Sequence, residues 1–389
     1  MQKGRICIVM HNDLMDYPPM ISLIDIMKEL GEDIVYIGHY TESPTTQRFE
    51  QMGIKLIKLG CIRTDSDIDN LKIYNRYRQH LSMELDNLKL SQTDTIWYVY
   101  SQTANFVHNI ISRYRYVIHF FEYTAIQNSW KFRLLYPSFN QAKFIKNAVG
   151  IIHCEDTRGQ IFRALYGLDN SPYIIPNKPY VKNQLMSESK MPEDVRELIG
   201  DVQKKIKGKK VILYQGFFAS VERRLEEFCQ AVNMMPSEYV MIAMGKGPRG
   251  YFDNLKMRYE SEKIIFIPFI LPPYHLHVTE MASIGVMSYS PHKKTHAGII
   301  NALFCAPNKI FEYGKYGKPM IANNVPALKN IFEKYHCGEI VDYPITPEAI
   351  VGALEKLFAD YDTYSKGSLS YYESVDLFSI VKNILAKIR

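Results

Sequence analysis

The stretch APNKIFEYGKYGKPMI (306–321) concentrates residues that can do chemistry. It places one carboxylate, Glu312, on a predicted short helix over 307–315. Pro307 and Asn308 suit the start of that helix, and Gly317 suits its end before the apolar run 319–322. A helix start offers unpaired N–H groups and a positive dipole end, which favour a phosphate. A carboxylate one turn further in can accept hydrogen bonds from sugar hydroxyls. The spacing predicts a grip for a nucleoside diphosphate, with an ordinary capped helix as the plain alternative.

Other residues could complete such a grip. The run YQGFFASVERRLEEFCQAV reads as strand, glycine, loop, basic residue and helix. Gly216 lets a ligand approach the backbone closely. A guanidinium at Arg223 can fork onto two phosphate oxygens and stabilise a departing diphosphate. Arg224 is its rival, and a helix-surface arginine is the plain reading of either. VMIAMGKGP carries Gly245, Lys246 and Gly247 at a strand end, where a tight turn is an equal reading. Pro268, Phe269 and Ile270 end the next strand. The loop 291–298, with His292, Lys293, Lys294 and His296, reads as a charged turn or a partner for a sugar.

In the first half, His11 and Asn12 end the first predicted strand. The run YVIHFFEYT (116–124) ends in Phe121-Glu122, with His119 on the same strand face as Phe121. His119 and Glu122 have side chains that can exchange protons; a core histidine is the alternative for the first. Asp65-Ser66-Asp67 has the Asp-x-Asp spacing of metal–nucleotide sites but precedes a helical run, so helix capping explains it. His275 and His277 have zinc-like spacing and no third ligand nearby in sequence.

These residues need a scaffold, and the chain supplies one twice. Its 389 residues exceed a usual single domain. Strands are predicted at 5–10, 33–37, 54–58, 95–100, 116–120, 150–153 and 173–175, with amphipathic helices at 19–30, 68–90 and 105–113. After a Pro-rich, polar linker near 177–190 the pattern restarts. Strands follow at 210–215, 239–244, 264–268, 284–288 and 319–322. Helices lie between them at 222–233, 251–260, 273–281 and 307–315. This rhythm predicts α/β architecture with two parallel sheets, each covered on both faces. Two such domains create a cleft at the carboxyl ends of their strands, where open sheets bind ligands.

Charge and cysteines narrow the class. A net charge of +6 is too weak to indicate nucleic acid. It suits a phosphate-bearing substrate or an anionic membrane face. The six cysteines form no Cys-x-x-Cys pair and read as reduced, mostly buried thiols. The opening MQKGRICIVMHND reads as a strand and not a signal peptide, and no apolar run is long enough to span a bilayer. Between 113 and 146, Arg113, Arg115, Lys131, Arg133, Lys143 and Lys146 interleave with Trp130 and other aromatic and apolar residues. That composition fits a membrane-resting surface as well as an ordinary helix face.

Pro307, Asn308, Lys309, two apolar residues, Glu312, Tyr313, Gly317 and Pro319 resemble the C-terminal signature of retaining GT-B glycosyltransferases. The likeness is to the family 4 group that builds bacterial surface polysaccharides. The runs at 214–232, 241–248 and 264–277 extend it over most of the second half. The resemblance implies a GT-B fold of two Rossmann-like domains, 1–178 for the acceptor and 179–365 for the donor, with a terminal helix, 366–389, packing back on the first. It implies donor binding by Gly216, Arg223, Gly245, Lys246, Pro268, Phe269, Pro307, Asn308, Lys309 and Glu312, with Glu312 on the ribose. It implies acceptor-side residues among His11, Asn12, His119 and Glu122, catalytic roles among His119, Glu122, Arg223 and Glu312, and no metal or other cofactor.

The implied reaction moves a hexose-type sugar from a nucleoside diphosphate to a glycan or polyprenyl-diphosphate-linked acceptor, with retention. The implied setting is capsule, O-antigen or exopolysaccharide assembly, in the cytoplasm or on the cytosolic face of the inner membrane. Phe217, Phe304 and Phe121 replace residues that relatives use as an Arg, a Glu and a His. They keep two alternatives open: a nucleotide-sugar 2-epimerase and a non-catalytic partner subunit.

Overall fold

The structure, a computed structural model, describes residues 4–60, 67–100, 107–124, 130–135, 139–181, 191–248, 250–291 and 295–389. The chain divides into two compact units, Met1–Pro176 with Leu377–Arg389, and Asn177–Asp376. The linker residues 182–190 and the Asp65-Ser66 pair lie outside the described residues.

The first unit carries seven parallel strands: β1 (Ile6–Met10), β2 (Ile34–Gly38), β3 (Lys55–Lys58), β4 (Thr95–Val99), β5 (Tyr116–Phe120), β6 (Gly150–His153) and β7 (Tyr173–Ile174). Their order is β3-β2-β1-β4-β5-β6-β7, so the winding reverses between β1 and β4. Strands β1, β2, β4, β5 and β6 are buried along their whole length, which is why they read as unbroken apolar runs. The helix expected over 105–113 is the short His108–Ile111, and residues 101–106 are not described.

The last helix, Leu377–Lys387, belongs to this unit. It buries Leu377, Val381, Ile384 and Leu385, one stripe at helical spacing. Arg389 pairs with buried Glu32, and Arg115 donates to the Ile388 carbonyl. The preceding helix, Tyr361–Glu373, stays with the second unit, so the returning segment begins at Leu377 and not at 366. The cause is local: the Tyr371 ring stacks on Phe311 at 5.3 Å and anchors that helix where it is.

The second unit carries β8 (Lys210–Phe217), β9 (Tyr239–Lys246), β10 (Ile264–Pro268), β11 (Ile284–Met287), β12 (Met320–Asn323) and β13 (Gly338–Val341). The order is β10-β9-β8-β11-β12-β13, again parallel, with the reversal between β8 and β11. Strand β13 has no counterpart among the expected strands; it is a short, half-buried edge and lacks an apolar run. The single helix expected over 222–233 is two, Ser220–Arg223 and Leu225–Met234, because Arg224 between them is left-handed at φ 48°. The expected helix over 273–281 starts at Leu276.

Gly245 serves strand packing. It faces Gly216 across the β8–β9 pair, with φ +154°, and an added Cβ would lie 1.8 Å from the Gly216 carbonyl oxygen. Gly245→Ala is therefore expected to destabilise the second unit by about 1–3 kcal/mol. Chemical denaturation followed by circular dichroism reads this directly.

Candidate functional site

In the second unit, the carboxyl ends of β8 and β11 diverge at the reversal point, the usual ligand position in open α/β sheets. The helix Lys309–Lys315 is seated beside them by Tyr313. The Tyr313 hydroxyl donates to the Leu213 carbonyl of β8 at 2.9 Å. Its ring fills the space over Gly285 of β11, where a Cβ would come within 2.3 Å. This anchor fixes where Lys309 and Glu312 point. The helix begins at Lys309, so Pro307 and Asn308 precede it, against the expected start at Pro307. Asn308 makes no side-chain cap hydrogen bond.

Two cations flank one aromatic ring here. The Arg223 Cζ lies 4.2 Å from the Tyr289 ring centroid, and Nη1 donates to the Ser288 carbonyl at 3.2 Å. The Lys309 Nζ lies 5.1 Å from the Tyr289 centroid and 4.3 Å from that of Tyr214. Lys309 is only 7% exposed. Its ammonium has no hydrogen-bond acceptor and no ion pair among the described residues. Burial, and then the charge of Arg223, hold its pKa well below the ordinary lysine value.

Glu312 is 6% exposed and held on both oxygens. Gln215 Nε2 donates to Oε2 at 2.5 Å, and His275 Nε2 lies 3.2 Å from Oε1. Thr279 Oγ1 donates to Gln215 Oε1 at 2.8 Å, which fixes the amide orientation. His275 and Thr279 are four residues apart, at the cap and inside the helix Leu276–Met281. The motif residues Arg223, Lys309 and Glu312 thus lie in one cluster, together with Gln215, His275, Thr279 and Tyr289, which sequence reading did not assign to it. In the sequence, His275 stands out only through the zinc-like His275-x-His277 spacing. No trio of His, Cys, Asp or Glu among the described residues is placed to hold a metal.

Beside this cluster, Phe217, Lys246, Pro268 and Phe269 are exposed at the carboxyl ends of β8, β9 and β10. The Lys246 Nζ lies 4.7 Å from the Phe269 ring centroid. His292, Lys293 and Lys294 lie outside the described residues. His296 opens the helix His296–Leu303 rather than ending a loop, capped by Thr295 Oγ1 accepting from the Gly298 amide at 3.1 Å.

In the first unit, residues after β1 and β5 gather at one edge. His11 Nδ1 lies 3.4 Å from Asn12 Oδ1, Asn12 donates to the Tyr17 hydroxyl at 2.5 Å, and the Tyr17 ring lies 5.4 Å from Phe121. Glu122 follows and is exposed. His119 lies beneath them, its ring 4.3 Å from that of Phe121. It is 1% exposed, its Nδ1 accepts from Trp97 Nε1 at 3.2 Å, and burial pushes its pKa down to about 3. It is a core histidine because a parallel sheet buries both of its faces.

Of the described cysteines, Cys7, Cys154, Cys229, Cys305 and Cys337 are buried and form no disulfide. Among the described residues no helix is long and apolar enough to cross a membrane.

No protein-family model matches the chain, and no curated protein matches it. Solved structures match it over nearly its whole length. Anabaena Alr3699/HepE in complex with UDP and glucose superposes with a TM-score of 0.67 at 15% identity, covering 99% of each chain. WaaG, a glycosyltransferase involved in lipopolysaccharide biosynthesis, gives 0.59 at 12% identity, covering 98% of this chain and 99% of its own. A UDP-N-acetylglucosamine 2-epimerase gives 0.61 at 12% identity, covering 95% and 91%. The fold shared with these proteins is GT-B, built from two Rossmann-like units.

Proposed function

We propose that the chain is a retaining glycosyltransferase that takes its sugar from a uridine diphosphate donor. The observation carrying this reading is the buried, unpaired Lys309 beside Arg223, next to the held carboxylate of Glu312. A buried lysine without an acceptor carries its charge favourably only when an anion completes it. A diphosphate supplies that anion, and the ribose hydroxyls supply donors for the lone pairs left on Glu312. The uracil base rests on the Pro268–Phe269 junction. The fold likeness to HepE, whose structure holds UDP and glucose, favours uridine among the bases.

In the proposed reaction the bond from the sugar's anomeric carbon to the β-phosphate oxygen breaks, and its electron pair stays on the phosphate. Arg223 and Lys309 stabilise that charge as it develops. An acceptor hydroxyl bonds to the anomeric carbon on the same face, and its proton passes to the departing β-phosphate oxygen. His11, Asn12 and Glu122 are the acceptor-side candidates, and no metal is required. The acceptor is a glycan or a lipid-linked sugar of surface-polysaccharide assembly, a setting favoured by the likeness to WaaG.

The test is turnover of UDP-sugars with and without a lipid-linked oligosaccharide acceptor. The proposal expects UDP release that depends on acceptor, and a product whose anomeric configuration matches the donor. Acceptor-independent interconversion of the UDP-sugar would instead support the epimerase reading, which the 2-epimerase fold likeness keeps in view. UDP binding without either reaction would support a non-catalytic partner subunit.

A membrane-facing site for a lipid-linked acceptor has one structural support. Trp130 and Leu134 are 72% and 73% exposed, one turn apart on the helix Trp130–Leu135, with Arg133 exposed between them. Anionic vesicles are expected to sediment the protein at low salt, and Trp130→Ser with Leu134→Ser to weaken that binding about tenfold or more. Equal sedimentation of the variant would rule this surface out.

A further inference from the structure

We propose that Lys309 is a neutral amine before a nucleoside diphosphate binds, and that entry of the diphosphate places a proton on its Nζ. Binding would then take up one proton from solvent. The inference rests on the donor reading above but goes beyond it, since a diphosphate site does not require its lysine to change charge.

Among the described residues no acceptor takes a hydrogen bond from the Lys309 ammonium, and two ring faces attract it only weakly. Tyr214 of β8 and Tyr289 beyond β11 present ring faces, at 4.3 and 5.1 Å. Arg223, on the helix Ser220–Arg223, adds a guanidinium that does not release its proton. Cys305 precedes the lysine's helix, and Glu312 lies on the helix itself. Glu312 is the one carboxylate among these groups, and its oxygens are already engaged by Gln215 and His275. Burial, a fixed cation nearby and no acceptor among the described residues favour the neutral form, against the weaker pull of two ring faces on a cation. The low pKa noted above points the same way. A diphosphate reverses the balance, because its oxygens accept the ammonium's hydrogen bonds and outweigh the guanidinium's repulsion.

The experiment is calorimetric titration of UDP into the full chain at about pH 8, where the terminal phosphate is already ionised. It is repeated in buffers of different ionisation enthalpy. The expected result is an apparent enthalpy that varies with the buffer, with a slope of about one proton taken up. Lys309→Arg carries a permanent charge, so it should bind UDP with the slope gone. Lys309→Met should also lose the slope and bind more weakly, which covers the case in which arginine does not fit. Buffer-independent enthalpy with wild-type binding intact overturns the proposal and leaves the donor site standing. A slope that survives in both variants assigns the proton elsewhere, with His275 the next group to examine, and also overturns it. No binding at all defeats the donor reading itself.

Discussion

Arg223→Met is expected to weaken UDP binding about 100-fold. The guanidinium is partly buried, lies over the Tyr289 ring and already spends one N–H on the Ser288 carbonyl. Its remaining donors form a fork suited to two phosphate oxygens. Losing one partner of a desolvated charge pair costs about 2–5 kcal/mol, and 2.7 kcal/mol corresponds to about 100-fold. Arg223→Lys keeps the charge and loses the fork, so it should fall between wild type and Arg223→Met. Arg224→Met is the control. Arg224 pairs with Glu227 at 3.0 Å within its own helix turn, and its loss should leave UDP affinity within about twofold. Calorimetry on the four proteins settles which arginine contacts the ligand. Equal losses at Arg223 and Arg224 would remove the specific role given to Arg223.

The first unit should lose stability steeply below about pH 6.5. His108, His119 and His153 are buried, and burial pushes each pKa down to about 3. Among the described residues His108 and His153 have no hydrogen-bond partner on either ring nitrogen, and His119 has none on Nε2. Above the unfolded value near 6.5 both states are neutral, and these residues give stability no pH dependence. Below it the unfolded chain binds protons that the folded unit excludes. Stability therefore falls until pH reaches the folded values near 3. Each histidine contributes up to about 1.4 kcal/mol per pH unit in that window, so the three together can exhaust a typical domain's stability within about two to three units. His108 stacks on Phe144 at 4.3 Å, so His108→Phe keeps the packing and removes one proton site. Its acid midpoint should move to lower pH, read by tryptophan fluorescence from buried Trp97. An unchanged midpoint would mean that the imidazole does not charge on unfolding in this range.

How far the architecture could be read in advance depended on burial. Strands such as ICIVM at β1 and YVMIAMGK at β9 are covered on both faces, so sequence carries them as continuous apolar runs. GEIV at β13 is a half-buried edge and carries no such run. Strand alternation also misled at His119, because it names the strand face and not what covers it. Arg223, Lys309 and Glu312 stand in short local patterns and lie together in space. Gln215, His275 and Thr279 join them through contacts between segments far apart in the chain. The Gln215–Glu312 hydrogen bond spans 97 positions and the Thr279–Gln215 bond spans 64. No spacing rule reaches that far. The unpaired state of Lys309 likewise depends on Tyr214, Arg223 and Tyr289 converging from three separate segments.

The central claim is that the second unit holds a nucleoside diphosphate at Arg223, Lys309 and Glu312. Titration of UDP into the purified full-length chain, with Glu312→Ala in parallel, tests it most directly. The account predicts saturable wild-type binding with Kd of about micromolar, weakened at least about tenfold in a folded Glu312→Ala protein. A folded wild-type sample that binds neither UDP nor GDP nor ADP would contradict the account, as would Glu312→Ala binding with unchanged affinity.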